Sequence, residues 1–475
     1  MKEKGITYQE LRLSISSILY IKTLRITENI NNHATMKVSA MLTDDMKEEI
    51  IHEAEMNVSL YYIEEGTSHT LFTGRVTKLD LTIEGDLYQL EIEANSYTYD
   101  MDINKRSRSF QDINMLSHEV IKSVMKHYKD SDCLLKIPNE PIGQLVVQYE
   151  ETDWQFIKRF VSRYNEGLYP EASFSQLRYY IGVPPTEQEV NWDHLPYTIS
   201  KNIKDYSCMK KNALPMIKEV DYVVYRVQAY DYAPLGATIV YQKKNFTISK
   251  IQRELIDGQL MSTYQIQLKN GLLQPKIYNE AITGVSIDGN IIEVSRNKVK
   301  AQLAVDEVQE KKKAYWFPYA TMSASKDGSG WHCMPEIGES IRAYFPTHDE
   351  KEGYVITNIK AHRPDTPSKE DSMSNPTNKS LSTPHNKAVH FTEEGVLIIA
   401  DDGAGQVLLG IDGTVTVSGV EKISLNANED ITIRAEKEIV LTADNIVDLL
   451  CEKDGQIQIL PGGTMNIKSK EIIEN

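Results

Sequence analysis

Ile423-Ser424-Leu425, Ile431-Thr432-Ile433, Ile439-Val440-Leu441 and Val447-Asp448-Leu449 recur at a spacing of eight residues near the end of the chain. Each triplet presents two apolar side chains on one side and one residue on the other, as an extended strand does. Polar connectors such as Asn426-Ala427-Asn428-Glu429-Asp430 separate the triplets. A short fixed period of this kind predicts strands winding around an axis, with equivalent positions stacked from rung to rung. A single rung buries too little apolar surface to be stable, and free strand edges invite pairing with other chains. Closure by several identical chains solves both problems, and three is the economical number.

Upstream of this repeat, a different period governs. From Ile6 to Tyr99 apolar and polar residues alternate, as in Lys37-Val38-Ser39-Ala40-Met41-Leu42 and Leu87-Tyr88-Gln89-Leu90-Glu91-Ile92-Glu93-Ala94. Alternation predicts half-buried strands, and Glu65-Gly66 and Glu84-Gly85-Asp86 read as hairpin turns between them. Helical spacing follows at Asp112 to Tyr128, with Asp112 or Asn114 as cap. It returns at Thr152 to Tyr164, with Thr152 or Asp153 as cap and Gly167 past the end. Strands resume from Tyr179, and the stretch from Ile282 to Ile359 suits a small five-stranded barrel. A Pro/Ser/Asn/Lys/Asp-rich run between His362 and His390 reads as linker.

The expected organisation is therefore mainly β. It has a first β domain at 1–110, a helical insertion at 111–178, a second β domain at 179–280, a small barrel at 281–361, a linker at 362–390 and a β-helical needle at 391–475. A length of 475 residues leaves room for several such units.

Composition excludes some functions. Hydrophobic residues make up 41% and charged residues 25% of the chain, the usage of a folded protein. A formal charge of −16 repels a phosphate backbone, so nucleic acid is not an expected partner. The start, Met1-Lys2-Glu3-Lys4-Gly5, lacks the apolar core of a signal peptide, and no stretch approaches the roughly 18 apolar residues of a membrane span. Cys133, Cys208, Cys333 and Cys451 form no CxxC pair, so they read as buried free thiols.

Two further stretches carry a resemblance. The first is Gln148-Tyr149-Glu150-Glu151-Thr152-Asp153-Trp154-Gln155-Phe156-Ile157-Lys158-Arg159, followed by Asn165-Glu166-Gly167-Leu168-Tyr169. The second is Trp331-His332-Cys333-Met334-Pro335-Glu336-Ile337-Gly338-Glu339-Ser340-Ile341, followed by Tyr354-Val355-Ile356-Thr357-Asn358-Ile359. With the repeat in third place, they resemble the VgrG family of type VI secretion and the hub-and-spike proteins of contractile phage tails and extracellular injection systems. The matching positions are Glu150, Asp153, Trp154, Phe156, Trp331, Pro335, Glu336 and Gly338.

The resemblance implies a homotrimer without cofactor, its barrel of the oligonucleotide/oligosaccharide-binding (OB) type. Such a protein sits on a tail tube protein, contacts baseplate proteins and carries a separate PAAR-like tip protein or effector. Sheath contraction drives it through a target-cell envelope. Synthesis in the cytoplasm and delivery within a finished particle are implied as well. No lysozyme-like domain stands between barrel and needle, where phage relatives can carry one. A tail-associated cell-wall hydrolase and a trimeric tail adhesin are the rival readings.

Candidate chemistry meets a plainer explanation at each place. Glu150, Glu151 and Asp153 are carboxylates of the kind a glycosidase pairs, yet acidic groups at a helix start are stabilised by its dipole. His332 and Cys333 are neighbours along an extended chain, which points them to opposite faces. His362, His385 and His390 read as linker histidines, and no histidine follows to furnish a metal tip. Gly403-Ala404-Gly405 and Gly462-Gly463 lack the strand-to-helix setting of a phosphate loop and read as turns.

The repeat spacing assigns Ile423, Leu425, Ile431, Ile433, Ile439 and Leu441 to a shared needle core, with Thr432 and Val440 facing outward. Ile433→Asp would set carboxylates from every chain around one axis, at a cost of several kcal/mol even after protonation. Thr432→Asp should cost about 0.5 kcal/mol or less. Thermal melts of the two full-length variants decide it, and equal losses would disprove the stacking.

Overall fold

A computed structural model describes residues 5–15, 18–43, 56–211, 217–321, 333–357, 377–383, 385–451 and 455–471. The chain divides into two compact units, Met1–Ile359 and Lys360–Asn475.

The first unit opens with β1 (Leu11–Leu13), β2 (Ile18–Asn29), β3 (Thr35–Leu42), β4 (Asn57–Glu64), β5 (Thr67–Glu84) and β6 (Leu87–Ser96). Alternation does what it should. Met36, Val38, Ala40 and Leu42 of β3, and Leu90, Ile92 and Ala94 of β6, are buried in one core with Val58, Leu60 and Phe72. The turn between β4 and β5 takes positive φ at both Glu65 (49°) and Gly66 (80°), which suits the right-handed twist of a tight hairpin.

β7 (Lys105–Phe110) then pairs with β9 (Val146–Thr152), while β8 (Asp132–Leu135), β10 (Leu168–Pro170) and β11 (Arg178–Ile181) form a three-stranded sheet. The helices among them are α1 (Ser117–Met125) and α2 (Asp153–Val161). Val120, Ile121 and Val124 of α1 and Trp154, Phe156, Ile157, Phe160 and Val161 of α2 share a core with Phe110, Val146 and Tyr179. This layer, expected as a helical insertion, is thus a mixed one. α1 begins later than its spacing predicts. Asp112 instead accepts the Asn114 amide in a local turn (3.0 Å), and Glu119 reaches back to the amide of Leu116 (3.0 Å).

Next come β12 (Tyr197–Lys201), α3 (Ile203–Lys211), β13 (Val223–Ala229), β14 (Thr238–Tyr241), β15 (Lys244–Ile256) and β16 (Gln259–Gln267). The two β segments, expected as separate domains, share one eleven-stranded sheet in the order β1-β4-β5-β6-β3-β2-β15-β16-β13-β12, with β14 on β15. The seam is β2 against β15, antiparallel from Lys250 opposite Asn29 to Glu254 opposite Arg25. Arg253 and Glu28 lie buried on it as an ion pair. A second guanidinium nitrogen of Arg253 donates to the Ala233 carbonyl (2.7 Å), and the Tyr232 ring lies 4.7 Å from the cation.

β17 (Val285–Ser295), β18 (Lys298–Leu303), β19 (Phe317–Pro318), β20 (Ser340–Phe345) and β21 (Tyr354–Thr357) form a five-stranded sheet in the order β19-β18-β17-β20-β21. Its ends meet, since Tyr319 bridges Val355 in parallel and the Ala320 amide donates to the Val355 carbonyl (2.9 Å). Ile287, Ile291, Val299, Phe317, Ile341 and Phe345 fill the interior, and Leu145 and Val147, from the β9 segment, complete it.

The second unit is all β. β22 (Lys379–Ser382), β23 (Ala388–Thr392), β24 (Gly395–Ala400), β25 (Gly405–Gly410) and β26 (Val415–Gly419) make one antiparallel meander. β22 and the start of β23 fall within the expected linker. Short strands form there because Leu381 and Val389 continue the apolar row Ile398, Val407, Val417 of the neighbouring strands. β27 (Val447–Cys451), β28 (Gly455–Leu460) and β29 (Thr464–Lys468) make another. Between the meanders, residues 420–446 pair with no strand of this chain and bend at 420–421, 428–429, 436–437 and 444–445. Backbone and sequence therefore share the eight-residue period. The fourth triplet, Val447-Asp448-Leu449, lies within β27.

Arg253→Met should cost about 3–5 kcal/mol, because it strands a buried Glu28 carboxylate. Replacing both residues with Met should recover most of that loss. Urea unfolding midpoints of the single and double variants test whether the seam charge is compensated as described.

Candidate functional site

The signature stretch builds a joint between the mixed layer and the small barrel. β9 ends where Thr152 caps α2, its hydroxyl accepting the Gln155 amide (3.1 Å) while Gln155 returns a bond to the Thr152 amide (3.2 Å). This reciprocal cap satisfies two amides that a helix start leaves unpaired. The helix then turns through Ser162–Tyr164 and stops at Asn165, which takes the left-handed conformation (φ 58°). Asparagine tolerates that conformation, so Gly167 is not the terminating residue.

Asp153, fully buried, is held from three sides. Arg106 Nε lies 3.2 Å from it, Arg108 donates to Oδ1, and Tyr128 donates to Oδ2 (2.8 Å). Gln148 Nε2 also donates to Oδ1 (3.0 Å). Trp154 donates its indole N–H to the Asn31 carbonyl (3.2 Å), tying α2 to the loop between β2 and β3. Phe156 stacks between Phe110 (5.4 Å) and Phe160 (6.0 Å).

Arg159, one turn further, is 4% exposed. Its Nε and one terminal nitrogen donate to both oxygens of Glu151 (2.8 and 2.7 Å), a bidentate pair. That nitrogen also donates to the Val147 carbonyl (2.8 Å). The other terminal nitrogen donates to Glu350 (2.7 Å), in the turn between β20 and β21. Burial disfavours the charge, but the two glutamates outweigh it and hold the guanidinium above its ordinary value. One cation thereby ties the barrel to α2. Ser109 donating its amide to Asp306 (2.6 Å) and Asn279 donating to the Tyr149 carbonyl (2.8 Å) reinforce the same junction.

These positions settle the sequence-read residues. Asp153, Trp154 and Phe156 are buried and meet in the joint. Glu150 does not: its backbone takes φ 49° and its side chain is exposed, so the neighbouring Glu151 makes the buried contact. Pro335 is buried, Glu336 is exposed, and Gly338 takes φ 92° in a turn where its amide donates to the Ile291 carbonyl (2.8 Å). Trp331, His332 and His362 lie outside the described residues. Ile423, Leu425, Ile431, Ile433, Ile439 and Leu441 are at least half exposed in the single chain. Arg108 and Glu350 lie outside the signature stretch and were not singled out, while Gln148, Glu151 and Arg159 stand within it but were not among its matching positions.

Chemically, Glu151 and Asp153 are engaged by guanidinium groups. Burial pushes the Cys133 thiol up to about 12, whereas Cys208 and Cys333 are exposed, which corrects their reading as buried. Among the described residues no cluster of three metal-ligating side chains occurs, and no helix is long and apolar enough to cross a membrane.

Comparison with known proteins agrees with this architecture. Residues 27–171 match the family described as phage tail baseplate hub (GPD). No curated protein matches the chain. An Escherichia coli component of the type VI secretion system, itself similar to bacteriophage T4 tail proteins, aligns over 73% of this chain and 98% of its own, at 11% identity and a TM-score of 0.54. VgrG in a Francisella PdpA–VgrG complex aligns over 97% of this chain and 79% of its own, at 8% identity and a TM-score of 0.49. The 43 kDa tail protein of prophage MuSo2 from Shewanella oneidensis covers 55% of this chain and 99% of its own, at 9% identity and a TM-score of 0.42.

Arg159→Met should cost about 3–5 kcal/mol, since it leaves two buried glutamates without their cation. Trypsin should then cut faster at the exposed Lys276, between hub sheet and barrel. Lys158→Ala, on the same helix, should change stability by about 0.5 kcal/mol or less and leave the cleavage rate unchanged. Limited proteolysis and denaturant unfolding supply both readouts. The chain is thus similar over residues 27–171 to the phage tail baseplate hub family, and similar in fold to the Escherichia coli type VI secretion component.

Proposed function

We propose that this chain is the structural hub and spike of a contractile, tail-like injection apparatus, and that it works as a homotrimer. The observation that carries the reading is the stretch 420–446. Its backbone bends every eight residues in phase with the Ile and Leu triplets, yet those side chains are exposed, Ile433 at 65% and Leu441 at 64%. Extended segments with exposed apolar side chains and no strand partner within their own chain require partner strands. Identical chains supply them in register, which yields a β-helical needle.

The flanking meanders support the same reading. In β27–β29, Val447, Ile459 and Met465 line up beside Leu449, Ile457 and Ile467 on one face, while Asp448, Gln458 and Asn466 occupy the other. An isolated three-stranded sheet with a bare apolar face is marginal in water, so this face is expected to be covered by other copies. The bridged ends of the barrel sheet support an OB-type barrel.

In this reading the hub caps a tail tube protein and contacts baseplate proteins, and the needle carries a separate tip protein or effector through the target envelope. The role is mechanical. Binding free energy goes into assembly and stiffness rather than into a transition state, which fits carboxylates that are consumed by structural ion pairs.

Light scattering on the full-length protein should give three times the chain mass of 54.1 kDa. A stable monomer at micromolar concentration would overturn the reading. Turbidity of cell-wall suspensions should stay at baseline with the same preparation, and clearing would favour a hydrolase.

A further inference from the structure

His33 lies in the loop between β2 and β3, where five side chains form one hydrogen-bonded chain. Its Nδ1 is 2.9 Å from the Thr98 hydroxyl and its Nε2 is 3.2 Å from Asp102 Oδ2. The Thr98 hydroxyl meets Ser96 Oγ (3.0 Å), and Ser96 Oγ accepts the Ala34 amide (3.2 Å). On the far side, Asp102 accepts the hydroxyl of Thr152, which caps α2. Ser96 and Thr98 are buried, as is the ring of Trp154, whose centroid is 4.7 Å from that of His33. The chain therefore connects the β2–β3 loop, the turn Tyr97–Asp102 and the start of α2.

Donors and acceptors around this chain can be arranged in two ways. With a neutral ring, Nε2–H donates to Asp102 and Nδ1 accepts from Thr98, whose oxygen accepts from Ser96, whose oxygen accepts the Ala34 amide. Every group then has a partner. A proton taken from solvent makes Nδ1 a donor too. Thr98 must then accept from His33 and turn its own proton to Ser96. The Thr98 hydroxyl reverses, the Ser96 proton gives up Thr98 as its acceptor and turns away, and the bond to Asp102 becomes an ion pair.

We propose that His33 is a proton-operated clasp, exchanging a state in which a neutral ring donates to the Asp102 carboxylate for one in which the two form an ion pair. The charges facing it fix the direction. On the turn Tyr97–Asp102, Asp102 is the carboxylate bonded to the ring, and Asp100 is paired with Arg75. On α2, Asp153 is paired with Arg106 and Arg108, and Lys158 acts on Asp102 at longer range. The hydrogen bond to His33, reinforced by Thr152, holds the Asp102 carboxyl below its usual range although burial opposes this, so the carboxylate is charged. The bond has one charged partner while the ring is neutral and two once it is protonated, so the clasp tightens in acid. This inference is independent of the tail reading.

Trp154 provides the test, because a protonated imidazole against an indole quenches its fluorescence. The full-length chain is titrated from pH 8.5 to 5 beside His33→Gln, Asp102→Asn and Thr98→Val. The expected result is a single-proton loss of emission in the parent, absent in His33→Gln and displaced to lower pH in Asp102→Asn. Thr98→Val should keep the transition. A parent without a transition in this range would overturn the proposal, as would one whose midpoint is unmoved in Asp102→Asn. If His33→Gln fails to fold, the Asp102→Asn midpoint alone decides.

Discussion

One buried guanidinium sets the architecture of the first unit. Removing Arg159 from water is costly, and the cost is met only where carboxylates and a carbonyl are already aimed at it. Glu151 supplies two of those oxygens, Val147 a third and Glu350 a fourth. Each oxygen demands a local structure. Val147 and Glu151 must lie on β9, and α2 must start directly after it so that Arg159 returns over the strand. The turn carrying Glu350 must descend from the barrel. The position of one cation therefore specifies how strand, helix and barrel join.

The same economy recurs at the seam of the large sheet. Glu28 and Arg253 are 225 residues apart, yet their pairing locks β2 against β15 and makes a single sheet of the strands on either side of the mixed layer. Hydrophobic burial sets neither register nor partner with such specificity, since many apolar pairings are near-equivalent. A buried charge with one acceptable partner discriminates among them. The first unit thus has apolar cores that supply stability and a few buried ion pairs that select the arrangement.

Features with a local signal were legible in the sequence. Alternation revealed β3 and β6, the Thr152–Gln155 reciprocal cap marked the start of α2, and the eight-residue spacing announced the periodic tail. Features that depend on distant pairs were not. No local pattern couples β2 to β15 or Arg159 to Glu350. Glu150 and Glu151 are adjacent acids, and which of them turns inward depends on the left-handed backbone at Glu150, a conformation glutamate does not advertise. Asp153, Trp154 and Phe156 meet in the joint, but the ion pairs around them were visible only once the barrel's glutamate entered the same site.

The in-phase bends of residues 420–446 carry a consequence for alignment. Where backbone and side-chain pattern both repeat every eight residues, sliding one strand past another by a whole period returns each triplet to an equivalent neighbour, so the repeat alone does not define its own alignment. The meanders on either side have no such period. Their rows, Leu381 to Val417 before and Val447 to Met465 after, differ in strand number and side-chain size. In the proposed needle they would act as unlike end-stops on a ruler of identical marks, making each slipped alignment of the repeat a mismatch at both ends.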